Sequence, residues 1–315
     1  MHGSGLYAGG GGVPVVRVGG LPARVVMASG ARLSIEVPDG LARGRHAVTV
    51  DGAEGAPGVD VGAPLVTGVH QVDSPAFGPD GTLYVTFSGT RGQRVPVSVF
   101  RVADDGEKTP FLTGLANATS MAFDARGALH VTSRLDGCVY RASASGETEV
   151  VARELGTACG IAFGSDGTMF VGDRSGTVFR IGSGSRVVPF ASLPPSIAAF
   201  HLAAGPGDAL YVTAPTMATC DSVYRIDRQG TVRAIGTGFG RPQGMAVDAG
   251  GALYVVDAVA GGAGLYRVQE GAPRALVLSA PALVGAAFDP RGGLVVASSD
   301  TVYRLDVALR PWRPA

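Results

Sequence analysis

One twelve-residue pattern, met six times, constrains this chain more than any other feature. SPAFGPDGTLYV begins at residue 74, SMAFDARGALHV at 120, GIAFGSDGTMFV at 160, HLAAGPGDALYV at 201, GMAVDAGGALYV at 244 and GAAFDPRGGLVV at 285, at spacings of 40 to 46 residues. A shorter pattern follows each one: VFRV at 99, VYRA at 139, VFRI at 178, VYRI at 223, LYRV at 265 and VYRL at 302. The long pattern reads as an apolar strand, a Gly or Asp turn and a second strand, and the short one as a third strand. Further apolar segments, such as EVVAREL at 149 and RALVLSA at 274, bring most units to about four strands. A period of this length marks a repeat architecture rather than a series of independent domains.

A four-stranded unit of this size cannot bury both faces of its own sheet. Six such units packed radially can, and they leave only short, protected edges. The expected fold is therefore all-β, a six-bladed β-propeller over residues 64–315. After VYRLDVA the chain runs into LRPWRPA, which offers no fourth strand for the last unit. PLVTGVHQVDSPAF, from Pro64, resembles PFLTGLANATSMAF, from Pro110, so a strand near 64–70 is expected to complete that blade and close the ring. The repeat also gives residues structural roles. Asp124, Asp248 and Asp289 begin the first turn of their units, Gly127 supplies permissive backbone there, and His130 takes an aromatic packing slot.

Composition narrows the partners. Lys plus Arg equals Asp plus Glu at 26 each, so no net field draws the chain to nucleic acid or an anionic membrane. No apolar run approaches the roughly 18 residues of a membrane span, and the first residues, MHGSGLYAGGGG, lack the basic start and apolar stretch of a signal peptide. Cys138, Cys159 and Cys220 are odd in number and lack CxxC spacing, which fits buried small residues, with one disulfide possible.

Residues 1–52 do not carry the repeat. VGGLPARVV, the short strand LSIEVP and the G-x-H-x-V-x-V run at 44–50 resemble the later part of an IPT/TIG domain, an immunoglobulin-like β-sandwich. That resemblance implies a partial sandwich at 1–52, with its opening strands and an export signal lost from the N-terminus, and an extracytoplasmic location in a bacterial protein. Residues 53–63, rich in Gly, Ala and Pro, read as a linker.

The repeat itself resembles NHL repeats and the SMP-30/gluconolactonase propellers, across residues 64–307. The fold hosts many functions, so the site must be argued from residues near the central channel. The position two before each inner strand's apolar core holds Asp73, Thr119, Cys159, Phe200, Gln243 and Val284. Lactonase-like members hold a hard divalent cation, Ca2+ or similar, on Glu, Asn and Asp at such positions. By that resemblance Asp73 stands where the Glu would be and Gln243 where the Asp would be, while Cys159 and Phe200 replace Asn. Two oxygen side chains with Thr119 make a poor cage for a cation that takes six or more oxygens. His201, next to the ring, and His70, with Asp73, Ser74 and Ser120, are the other polar candidates, but no GxSxG or HExxH motif accompanies them. The expected function is binding of a small-molecule or protein ligand at the channel mouth through Asp73, Thr119, Ser120, Cys159, Phe200, His201 and Gln243. The alternative is a metal-dependent lactone or ester hydrolase using Asp73 and Gln243.

Overall fold

The computed structural model describes residues 3–6, 12–182, 184–259, 262–280 and 282–305. Apart from one 3-10 turn at Pro206–Asp208, its regular elements are strands. The chain divides into two compact units, Met1–Ala63 and Pro64–Ala315.

In the first unit β1 (Val16–Val18), β2 (Leu21–Ala28), β3 (Leu33–Glu36), β4 (Gly44–Val50) and β5 (Gly58–Val61) form one antiparallel sheet in the order β3-β2-β1-β4-β5. Period-two alternation sends Val16, Val18, Val48 and Val50 to a common core with Leu6 and Leu33, while Arg17 and Thr49 face outward. One sequence expectation needs correction. Residues 58–61, read as linker, pair with β4 (Val59 opposite His46, Val61 opposite Gly44), because Val59 adds its side chain to the edge of that core.

The second unit begins with β6 (Ala63–Val66). Its first sheet is β7 (Ala76–Phe77), β8 (Leu83–Thr86), β9 (Val99–Val102) and β10 (Lys108–Leu112); its second is β11 (Ala118–Phe123), β12 (Leu129–Ser133), β13 (Cys138–Ala142) and β14 (Thr148–Ala152). The third comprises β15 (Ala158–Phe163), β16 (Met169–Asp173), β17 (Thr177–Ile181) and β18 (Val187–Ser192). The fourth comprises β19 (His201–Gly205), β20 (Ala209–Thr213), β21 (Asp221–Ile226) and β22 (Val232–Phe239). The fifth is β23 (Pro242–Val247), β24 (Leu253–Asp257), β25 (Gly264–Val268) and β26 (Ala275–Ser279). The sixth joins β27 (Leu283–Phe288), β28 (Leu294–Ser298) and β29 (Val302–Leu305) to β6. The first five sheets are antiparallel runs of consecutive strands, and in the sixth β6 supplies the outer strand, beside β29, from the start of the unit.

Apolar cores lie between successive sheets. Val139, Leu155, Ile161 and Val171 fill the space between the second and third, and Val223, Phe239, Met245 and Val255 that between the fourth and fifth. Leu83, Val85 and Val102 of the first sheet pack on Val295, Ala297 and Val302 of the sixth. Each fully buried Val or Leu contributes roughly 1.5–3 kcal/mol of transfer free energy. A strand between two such cores is covered on both faces: all five residues of β12 and of β24 are buried, whereas the outer β26 is mostly exposed. The turns follow the sequence reading. Asp124 and Asp248 each accept two backbone amides through Oδ1, and Gly127 has φ 79°. His130 packs edge-on against Phe163 at 4.9 Å, and burial lowers its pKa.

Candidate functional site

The first strands of the six sheets contact one another in sequence, and β27 also contacts β7, so their first residues surround a common interior. Which residues point into it is decided by strand alternation, and the expected ring is displaced by one position. Cys159 and Phe200 point away, into the core between the third and fourth sheets with Val178, Leu210 and Val212. Val284 packs on the core between the sixth and first sheets. Thr119 is buried and donates its hydroxyl to the Asn117 carbonyl at 2.9 Å. Gln243 is 7% exposed; its carbonyl accepts from Thr213 Oγ1 at 2.6 Å, while its side-chain amide bonds no described residue.

The interior belongs instead to the first residue of each long motif: Ser74, Ser120, Gly160, His201, Gly244 and Gly285. The glycines let the strands approach closely. A Cβ on Gly160 would lie 2.6 Å from the Phe200 carbonyl oxygen, one on Gly244 2.7 Å from that of Val284, and one on Gly285 2.4 Å from Ser74 Cα. A small side chain at motif position one is the sequence signal for this set, and His201 is its one large member.

Asp73, on the segment leading to β7, reaches across this interior. Its Oδ1 accepts from His201 Nδ1 at 2.7 Å and from the Ser74 amide at 2.6 Å, and its Oδ2 accepts from the Ser120 hydroxyl. Sheets one, two and four are thereby joined through one carboxylate. Ser74 Oγ in turn donates to the Met245 carbonyl at 3.2 Å and accepts from the Ala286 amide at 3.3 Å, adding sheets five and six. The Thr132 hydroxyl accepts from the Ser120 amide at 3.0 Å and donates to the Cys159 carbonyl at 2.5 Å. His201 is 1% exposed, Ser120 3% and Asp73 6%, so this is a buried polar plug. The bond to Asp73 places the imidazole proton on Nδ1 and leaves Nε2 buried and without a partner.

The chemistry open to this group is limited. Ser120 and His201 both bond the carboxylate and not each other, so the relay that activates a serine nucleophile is absent from the arrangement. Burial pushes the Cys159 thiol up to about 11, which suppresses the reactive thiolate. Three protein donors occupy both oxygens of Asp73, and among the described residues no three His, Cys, Asp or Glu side chains are grouped to hold a metal ion. The donor set of Asp73 and Gln243 therefore does not fit a hard dication, which needs several free oxygens.

Polar groups gather at the end of the sheets where the first strands begin. Because the second strands run antiparallel, they finish at this same end, and Arg134 and Arg174 directly follow β12 and β16. His70 is half-buried and stacks edge-on to Phe87 at 6.0 Å; burial, and then the Arg134 charge, lower its pKa. Asp173 and Asp257 cap loops: Asp173 accepts the Thr157 amide at 2.8 Å, and Asp257 the amides of Gly240 and Arg241 and the guanidinium of Arg274 at 2.6 Å. Cys138 and Cys159 are buried and Cys220 exposed, all three as free thiols. A cleft of about 270 Å3 lies at the opposite end, lined by Asp80, Arg101, Asp104 and Arg291. Within it Arg291 pairs with Asp104 at 2.7 Å, Asp80 accepts from Thr82, and Arg101 donates to Tyr84 and the Ala144 carbonyl.

No protein-family profile matches the chain, and no curated protein matches it. Solved structures do. A gluconolactonase from Xanthomonas campestris is 18% identical with TM-score 0.65, over 78% of this chain and 88% of that one. Virginiamycin B lyase from Staphylococcus aureus is 15% identical with TM-score 0.57, over 90% and 94%. An auxiliary nutrient binding protein from Bacteroides thetaiotaomicron is 13% identical with TM-score 0.59, over 93% and 90%. At such identities the likeness is one of fold: the chain carries the repeated four-stranded sheets of the gluconolactonase-like and streptogramin-lyase-like propellers.

Proposed function

We propose that residues 64–315 form a six-bladed, NHL/SMP-30-like propeller, closed by β6, that binds a ligand at the end where its first strands begin. One observation carries this reading. Protein donors already occupy both oxygens of the interior carboxylate, whereas at that end the Nε atoms of Arg134 and Arg174 are buried without an acceptor and the Gln243 side-chain amide bonds no described residue. Groups of that kind are retained at a cost in stability and are characteristic of recognition surfaces. The nutrient-binding neighbour is consistent with this use of the fold. The likeness to a gluconolactonase favours a second reading, a divalent-metal-dependent hydrolase of lactones or esters. The occupied oxygens of Asp73 weigh against it.

Thermal shift assays on metal-stripped protein separate the two. The expected result is no change in Tm with calcium, magnesium or EDTA, together with stabilisation by at least one member of a small-metabolite panel that Gln243→Leu abolishes. A calcium-dependent rise in Tm that Asp73→Asn and Gln243→Ala both remove would overturn the binding reading in favour of the hydrolase.

A further inference from the structure

Arg134 and Arg174 occupy the same register position in neighbouring sheets. Each follows the last residue of its second strand; the Arg134 amide donates to the Asn117 carbonyl and the Arg174 amide to the Thr157 carbonyl, both at 3.3 Å. Both side chains are half-buried, and among the described residues neither has an acidic partner. Each Nε is buried with no acceptor; of the two guanidinium groups only Arg174 Nη2 is engaged, by the Ile197 carbonyl at 3.1 Å.

A third arginine is brought to them by a specific device. Asn117 is buried in the left-handed region (φ 49°), and its side chain accepts from the Gly92 amide at 2.7 Å and donates to the Ser88 and Thr90 carbonyls at 2.7 and 2.8 Å. That clasp fixes the loop carrying Arg91 against the start of β11. Burial, and the charges of Arg174 and Arg91, depress the Arg134 pKa, as expected of cations crowded without a counter-charge. The surrounding loops expose apolar side chains: Leu135 is 48% exposed, Ile197 44% and Met217 87%. Ile197 sits beside the Met217 loop through its amide bond to the Pro215 carbonyl at 2.9 Å.

An oxyanion supplies what this arrangement lacks. A planar guanidinium presents Nε and a terminal nitrogen as a fork that matches two oxygens of a carboxylate or phosphate. We propose that this end of the propeller binds a small amphiphilic oxyanion, its carboxylate or phosphate held between Arg134 and Arg174 and its apolar body resting on Leu135, Ile197 and Met217. This rests on the preceding reading that the ligand site lies at this end, and it adds the chemical class.

Calorimetric titration of the full chain with octanoate, octyl phosphate and the neutral octyl glucoside tests it. One of the two anions is expected to bind at least about tenfold more tightly than octyl glucoside, and Arg134→Gln and Arg174→Gln each to weaken that anion about tenfold, the loss of one charge-assisted bidentate contact. Which anion binds identifies the headgroup. In the unliganded protein both substitutions are expected to leave Tm unchanged or raise it, which separates loss of binding from loss of fold. Equal binding of all three probes, or anion binding undiminished in both variants, overturns the oxyanion assignment. If that happens while a neutral metabolite still binds wild type and not Gln243→Leu, the oxyanion class alone has failed. If Gln243→Leu and both arginine variants bind every compound as wild type does, the location itself has failed.

Discussion

At one end of the repeated sheets Arg291 donates to both oxygens of Asp104, at 2.7 and 2.8 Å, and to Asp289 at 3.0 Å, while Arg304 reaches the same two acids at 3.1 and 3.0 Å. At the other end Arg134 and Arg174 stand beside one another, and among the described residues neither is paired with an acid. The paired cluster joins the last sheet to the β9–β10 loop of the first, the sheet that the closing strand β6 leads into, so its charges are spent on closure. Among the described residues the unpaired cluster makes one guanidinium bond, from Arg174 to the Ile197 carbonyl. Between the two ends lies the plug of Asp73, His201 and Ser120, whose buried polar side-chain atoms all have a partner except His201 Nε2. Placement of unsatisfied donors, more than the presence of polar residues, separates the part of this molecule that holds it together from the part that meets a ligand.

The sharpest test of that division is steric. Gly285 lies at the tightest approach in the interior, where an added Cβ would fall 2.5 Å from the Ser74 amide nitrogen and 2.8 Å from the Asp73 carbonyl carbon. Backbone atoms cannot swing aside, so Gly285→Val is expected to cost about 4 kcal/mol or to prevent folding, read as the urea midpoint or as loss of soluble protein. A midpoint within error of wild type would mean that the interior is an open channel after all.

Removing the plug's carboxylate comes next. Asp73→Ala leaves the His201 Nδ1 donor and the Ser120 hydroxyl buried without their acceptor, for an expected loss of about 3 kcal/mol in chemical denaturation. Asp73→Asn keeps one acceptor oxygen and should lose less. Equal stability of Asp73→Ala and wild type would show that water replaces the carboxylate freely, and the plug would then belong to the ligand-accessible surface.

The repeat made the sheets legible because both its periods are physical: two along each strand, and 40 to 46 residues between units. The candidate site was half legible. Asp73, Ser120 and His201 could be named from sequence as neighbours of the interior, but Cys159 and Phe200 were assigned to the wrong face. Counting back from an apolar core fixes facing only while the strand stays regular; the register of β15 on β16 shifts between Ala158 and Ile161, around Cys159, and Phe200 lies just before β19, outside its paired register. The arginine pair was hidden for a different reason. Nothing in TSR at 132 or GDR at 172 distinguishes a guanidinium that finds an acid from one that does not, since that depends on neighbours brought in from other sheets.

The smallest expected effect concerns the paired end. The Arg291 hydrogen bonds, with help from Arg304, hold the Asp104 carboxyl at about 2, below its ordinary value near 3.8. A folded-state value below the unfolded one means that the contribution is complete above about pH 4 and is lost as pH falls through about 2. Burial alone would raise the Asp289 carboxyl, but Arg291 and Arg304 offset it and the group is lowered as well, so it titrates in the same direction. Asp104 is 63% exposed, and solvent screening limits its pairs to well under about 1 kcal/mol. Asp104→Asn should therefore lower the urea midpoint slightly at pH 6 and flatten its decline between pH 4 and 2 relative to wild type, with the difference shrinking at high salt. Octanoate binding at pH 6 should be unchanged in this variant, because Asp104 belongs to closure. A loss of binding there would show that the two ends are coupled.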